Sequence, residues 1–366
     1  ENETYITAYY YDTSNNLIEI AAGQNKAIPP KSVYFTYDSL GRKIAMNDPD
    51  MGNWTYGYDL NGNLITQSDS RCISTYLTYD SLNRVTSINY PNDDDVSYMY
   101  DLEYNGTLSE VTKGNVSSSY TYDTRYRVTN ETVGLDGVDY TTSYNYDSMD
   151  RVTKITYPDS TIVDLTYNAQ SLLESIDGII DNIDYNARNQ ITEKELSNGV
   201  VTTYIYDTEK LLLQRLYTDG LQDLVYDFDN VGNILEINDN VMNSVKTYGY
   251  DDLDRLTSAG MAVNSTNTYQ REFSYDQYGC ILEVDENGTT ISDYGYSETP
   301  FHAPTSYNGD NLTYDSNGNL IEDGEFTYIY NDANQISEVR YKDNNSLVEK
   351  YWYDSEGRRI KKENSA

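Results

Sequence analysis

The chain has 366 residues, 60 acidic side chains against 25 basic ones, and a net charge of −35. A surface this negative repels phosphate backbones and anionic lipid heads, which excludes nucleic acid as a partner and leaves cations, basic proteins and neutral glycans. No apolar run reaches the roughly 18 residues that a membrane helix needs, so this segment is not expected to insert into a membrane.

Tyrosine is the unusual component, with 41 copies against 5 Phe and 2 Trp. Tyr suits a pleated surface with one dry and one wet end, so the excess points to β-sheet and to one position demanded repeatedly. The two cysteines, Cys72 and Cys280, are too few for a disulfide framework and read as free thiols. The sequence opens on a strand-like segment at Glu1 and reads as a piece of a longer chain.

Taken in chain order, an aromatic followed by a small polar residue recurs at Tyr11, Tyr37, Tyr58, Tyr79, Tyr100, Tyr122, Tyr146, Tyr167 and Tyr185. It continues at Tyr206, Phe228, Tyr250, Tyr275, Tyr296, Tyr314, Tyr330 and Tyr353, a period of about 21 residues. Two residues before the anchor stands a second aromatic or an aliphatic, such as Tyr56, Leu77, Tyr144 or Tyr204, on the same face of a strand. The residue after the anchor is Asp, Asn or, once, Ser297, and it can open a turn by accepting backbone N–H groups. Four after the anchor Gly, Asn or Asp predominates, the residues that tolerate positive φ. Six after it an aliphatic returns, as in Leu64, Val85, Val152 and Ile234. Each unit is therefore predicted to be a β-hairpin. The joints are Tyr37-Asp38 with Gly41, Tyr58-Asp59 with Gly62, Tyr79-Asp80, Tyr146-Asp147, Tyr314-Asp315 with Gly318, and Tyr353-Asp354 with Gly357.

Seventeen hairpins give about 34 strands, which cannot remain one flat sheet. The expected fold is all-β: tandem hairpins wound into a large spiral sheet that forms a hollow tube or shell, because only small barrels fill with their own side chains. Segments 21–31 and 259–269, and the prolines at 300 and 304, interrupt the period and are expected to be rim loops. No linker divides the chain, so residues 1–366 form a single array.

The runs YDSLGRKI (37–44), YDLNGNLI (58–65), YDSLNRVTSINYP (79–91) and YDSMDRVTKITYP (146–158) resemble the YD repeats of the Rhs and teneurin family. The resemblance covers nearly the whole chain and implies a hollow β-cocoon that encloses a C-terminal toxin in bacterial members and serves adhesion in teneurins. Residues 314–366 are similar to the final units before an Rhs core. That core is not within this sequence, so no self-cleavage residue is carried over.

Candidate chemistry is sparse. The single histidine, His302, lies in a Pro-bearing interruption with no Cys nearby, and a loop or packing role is expected. Asp59–Asn63 and Asp315–Asn319 imitate the start of a calcium loop but lack its glutamate, and they are the repeat's own turn. Asn92-Asp93-Asp94-Asp95 reads as an exposed acidic hairpin tip, and Asp48-Pro49-Asp50 with Gly52 as a plain turn. Acids in phase with turns are structural; a catalytic pair would break the phase. No catalytic residue, metal site or cofactor is therefore expected. The leading reading is a non-enzymatic shell wall of a large extracellular or cell-surface protein, enclosing or presenting a polypeptide effector. The alternative is an adhesion or carbohydrate-binding module that uses exposed tyrosines.

Overall fold

The computed structural model describes residues 6–22, 31–297 and 301–365. Among these residues there are thirty-five strands, from Ala8–Tyr11 to Arg359–Asn364, and no helix. Nearly all strands pair antiparallel with the next in sequence. Twenty-nine, through Asp310–Asn311, form one continuous sheet. The six from Thr313–Tyr314 onward form a second sheet. The change falls at Leu312, where strands shrink to two residues.

At about 4.8 Å per strand the larger sheet would be about 140 Å wide if flat. It is not flat. Asp50 meets Phe301 and His302, Ser70 meets Asn317, and Asp136 meets Lys361. These partners are 225 to 252 residues apart, so one coil of the spiral takes about twelve repeats. The inside is not packed solid. Among the described residues only eight apolar side chains are buried, and Val96 is the largest that is fully covered. A globular chain of this length would bury a far larger apolar core. The structure is a wall one sheet thick, with both faces accessible over most of its area.

Two expected interruptions differ from the sequence reading. Residues 259–269 do not form a loop. They lie in the long hairpin Leu256–Val263 and Thr266–Tyr275, closed by Asn264 and Ser265, both at positive φ (49° and 62°). Two adjacent left-handed residues make the tight turn whose twist matches the flanking strands. The prolines' neighbourhood is not a free rim either, since Phe301 and His302 dock on the preceding coil. Residues 23–30 and 298–300, including Pro300, lie outside the described residues.

Candidate functional site

The repeated joint is the dominant structural site. The strands ending at Tyr37, Tyr58, Tyr79, Tyr146, Tyr314 and Tyr353 each stop on the anchor. At each, the ladder register shifts just before the anchor, which is a β-bulge. The next carboxylate then organises the turn. In the second unit, Asp38 Oδ1 accepts the N–H groups of Leu40 and Arg42, and Oδ2 accepts Arg42 Nε at 2.7 Å. Asp80 and Asp147 repeat this with Arg84 and Arg151. Asp59 and Asp315 do so with Asn63 and Asn319, and Asp354 with Arg358. The Arg42 N–H leads the contacts that hold the Asp38 carboxyl below its ordinary range. Arg84 grips both Asp80 and Asp101, and Asp101 is pulled down to about 2 chiefly by that guanidinium.

In most described units the fourth position after the anchor is left-handed whichever residue occupies it; after Tyr100 the positive φ falls on Asp101 and Gly106, and after Tyr206 on Leu211. Gly41, Gly62, Gly318 and Gly357 have φ of 77°, 92°, 79° and 82°. Tyr126 and Ser171 adopt 64° and 66° at equivalent places, against their own preference. The turn therefore dictates the conformation and glycine merely relieves it. Gly318 has a further reason, because a Cβ there would sit 2.5 Å from the Asp50 carbonyl oxygen.

Sequence spacing did not reveal what the anchor hydroxyl does. Tyr58 donates to the Lys43 carbonyl (2.8 Å), Tyr79 to Leu64 (2.8 Å), Tyr146 to Val128 (2.7 Å) and Tyr353 to Ile336 (2.6 Å). In each case the acceptor opens the second strand of the preceding hairpin. Tyr37 reaches Leu17 in the same way, and Tyr314 reaches Pro304. Each anchor thus ties its own hairpin to the one before. The fifth residue after the anchor was missed as well. Where it is Arg it also covers the next anchor ring, Arg42 over Tyr58 at 4.9 Å and Arg84 over Tyr100 at 4.3 Å. The recurrence of Arg or Asn there, in YDSLGRKI and YDLNGNLI, was the available signal.

Phe228, an anchor without a hydroxyl, shows that one tie can be dispensed with. Tyr79→Phe is accordingly expected to cost about 1 kcal/mol, the net value of one hydrogen bond. Asp80→Ala, which removes three acceptor contacts, should lower the melting temperature further. Asp80→Asn should fall between wild type and Ala, since Asn168 and Asn186 already open turns. Thermal unfolding followed by circular dichroism checks the order; equal losses for Asn and Ala would contradict it.

The second site is the seam between coils. Links between hairpins on the earlier coil receive YD turns of the later one. Asp50 Oδ1 accepts the N–H groups of Phe301 and His302 (2.6 and 2.8 Å), and its Oδ2 lies 2.6 Å from His302 Nδ1. So the Asp48–Gly52 turn and the lone histidine form one contact. Asn317 donates to Asp69 Oδ2 (2.6 Å) and accepts from Ser70 N. Arg71 reaches the carbonyls of Asn331 and Asp332. The acidic stretch 92–95 is not a free tip, since Asn92 binds the Asp332 carboxylate and Asp93 faces Lys113.

The Asp59 and Asp315 carboxylates are occupied by their own turns. Among the described residues no cluster of His, Cys, Asp or Glu could hold a metal. Cys72 is an exposed free thiol in a left-handed turn position. Cys280 is free and buried, and burial pushes its thiol up to about 11.

A family model described as Teneurin YD-shell matches residues 182–366, half of the chain. The toxin subunit YenC1 of Yersinia entomophaga is 27% identical over 145 residues, which is 29% of this chain and 15% of that protein. The tRNA nuclease WapA of Bacillus subtilis (strain 168) is 34% identical over 97 residues, 25% of this chain and 4% of that protein. Among solved structures, the Photorhabdus luminescens Tc holotoxin pore superposes with a TM-score of 0.85 at 18% identity, covering 100% of this chain and 22% of that one. The TcdB2-TccC3-Cdc42 crystal structure gives 0.84 at 19%, covering 99% and 22%. The chain therefore spans about a fifth of those solved chains, and the likeness to them is one of fold. With the repeat, the coil and the family match in agreement, the chain belongs to the Teneurin YD-shell family.

Proposed function

We propose that this chain is a non-catalytic wall segment of a shell that encloses or presents a polypeptide effector belonging to the same large, extracellular or cell-surface protein. The observation that carries the reading is the coreless wall: a sheet curled until coil meets coil, with few buried apolar residues. Such a wall bounds a space that its own side chains do not fill. On this reading residues 1–366 act as one array, with 314–366 as its final units. The pairs Tyr37-Asp38, Tyr58-Asp59, Tyr79-Asp80, Tyr146-Asp147, Tyr314-Asp315 and Tyr353-Asp354 are joints of the wall. The relatives' names support toxin delivery, and the tRNA nuclease activity in the name WapA would lie outside the short matched stretch.

The test is protection. The full-length protein is digested with a broad-specificity protease in buffer and in urea sufficient to unfold the sheet. Non-repeat sequence enclosed by the shell should survive in buffer and disappear in urea. Cleavage of all non-repeat sequence at one rate in both conditions would refute enclosure.

A further inference from the structure

Between successive YD turns lies a seat that the wall usually fills from within. Five arginines at the fifth place after an anchor do so: Arg42, Arg84, Arg127, Arg151 and Arg255. Each guanidinium lies 4.3 to 4.9 Å from the centre of the next anchor ring. Three of them also donate to the carbonyl of the residue after that anchor, at Asp59, Asp147 and Asp276. Lys210 does the same to Asp229 (2.8 Å), and Gln190 closes its seat on the Leu211 carbonyl (3.1 Å). Asn63, Asn233 and Asn319 donate instead to the side chain at the fourth place of the next turn, at Asn83, Asp254 and Asn334.

Two seats stay open. Asn16 faces Gly41, which has no side chain to answer it, and Asn16 Oδ1 accepts no hydrogen bond among the described residues. Leu172 has no polar side-chain group at all. A cavity of about 560 Å³ lies at the first seat and one of about 440 Å³ at the second, and neither is lined by Lys or Arg. The rest of the arginine's fittings are in place. Tyr37 and Tyr185 make the same hydroxyl tie as the covered rings. The carbonyls of Asp38 and Asn186 each accept one turn N–H and keep a second lone pair. Asp12 borders the first seat, and Glu174, without an ion pair among the described residues, borders the second. We infer that each of these two seats takes an arginine side chain from a basic partner polypeptide. The chain's own arginines define what fits: a flat cation stacks on the ring while its N–H groups reach the carbonyl. Charge selects the same occupant, since a net −35 draws in basic chains and repels acidic ones. The inference holds for a partner on either face of the wall and is independent of enclosure.

A fluorescein-labelled peptide of alternating glycine and arginine, and its lysine counterpart of equal charge, are titrated with the full chain at about 0.15 M salt while anisotropy is followed. The arginine peptide should bind saturably and about threefold or more tighter than the lysine one. Asn16→Arg with Leu172→Arg fills both seats from within, and that margin should vanish. Leu221→Arg with Met242→Arg adds the same charge at turns where the native side chains are 66% and 65% exposed, and should keep the margin. Should the first pair not fold, Asn16→Gln with Leu172→Gln fills the seats as Gln190 does, without added charge. No saturable binding, equal binding of the two peptides, a margin that survives in a folded seat-filled variant, or one lost equally in the exposed-turn variant overturns the proposal.

Discussion

Alkali is expected to dismantle the wall in one cooperative step. Twelve anchor tyrosines, from Tyr79 to Tyr353, have phenols held above their ordinary value, with burial the leading cause. Tyr296 is pushed up to about 12. A phenol with a raised folded-state pKa favours the native state fully below its unfolded value of about 10. Above that value the unfolded chain ionises first, and the stabilisation falls until the pH passes the folded value. Geometry adds to the effect, because a phenolate in place of Tyr79 or Tyr146 would face a carbonyl oxygen at under 3 Å. Proton loss therefore converts a tie between hairpins into a repulsion, and the same loss recurs along the wall. Domains have only about 5–15 kcal/mol of total stability, so small losses at a dozen sites suffice. Tyrosinate absorbance and far-ultraviolet circular dichroism, recorded from pH 8 upward, should change together, steeply and later than free tyrosine. Smooth ionisation near pH 10 with the sheet signal intact would contradict this account.

What the sequence made legible was whatever repeats. The period, the hairpin, the acidic turn opener and the left-handed position could all be read, because every unit poses the same local problem. Even Tyr126, a poor residue for positive φ, obeys the phase. The fate of the tyrosine hydroxyl was hidden for a different reason. Its acceptor is a backbone carbonyl, which every residue has, so no side-chain pattern marks it. The seam was hidden more thoroughly. Asp50 and His302 are 252 residues apart, and nothing in either unit points to the other. Only the pitch of the coil brings them together, and pitch comes from the accumulated twist of many strands rather than from any motif.

The seam should fail at its buried knot and tolerate change at its margin. Asp69 and Arg71 form an ion pair at 2.7 Å, with side chains only 6% and 12% exposed. Asp69 Oδ2 also accepts from Asn317 across the coils, and Asp69 Oδ1 accepts the N–H groups of both Arg71 and Ile73. Asp69→Ala takes from a covered guanidinium its only carboxylate partner, leaving it the Asn331 and Asp332 carbonyls, and takes from the Asn317 amide its shortest acceptor. Breaking one side of such a pair costs about 3–5 kcal/mol, far more than the pair itself contributes. Lys361 and Asp136 make an equally short contact across the same seam, yet they are 34% and 52% exposed. Water replaces either partner there, so Asp136→Ala should cost less than about 1 kcal/mol. Urea unfolding separates the two magnitudes. Hydrogen exchange separates the mechanisms: in Asp69→Ala, amides of 69–73 and 315–334 should exchange faster while those of 200–250, remote in sequence from these contacts, keep their protection. If both variants lose the same stability, or exchange rises evenly along the chain, the coils are held by the sheet's own curvature. If the contrast appears, the joint that the sequence repeats builds the wall, and a few unrepeated side chains hold one coil to the next.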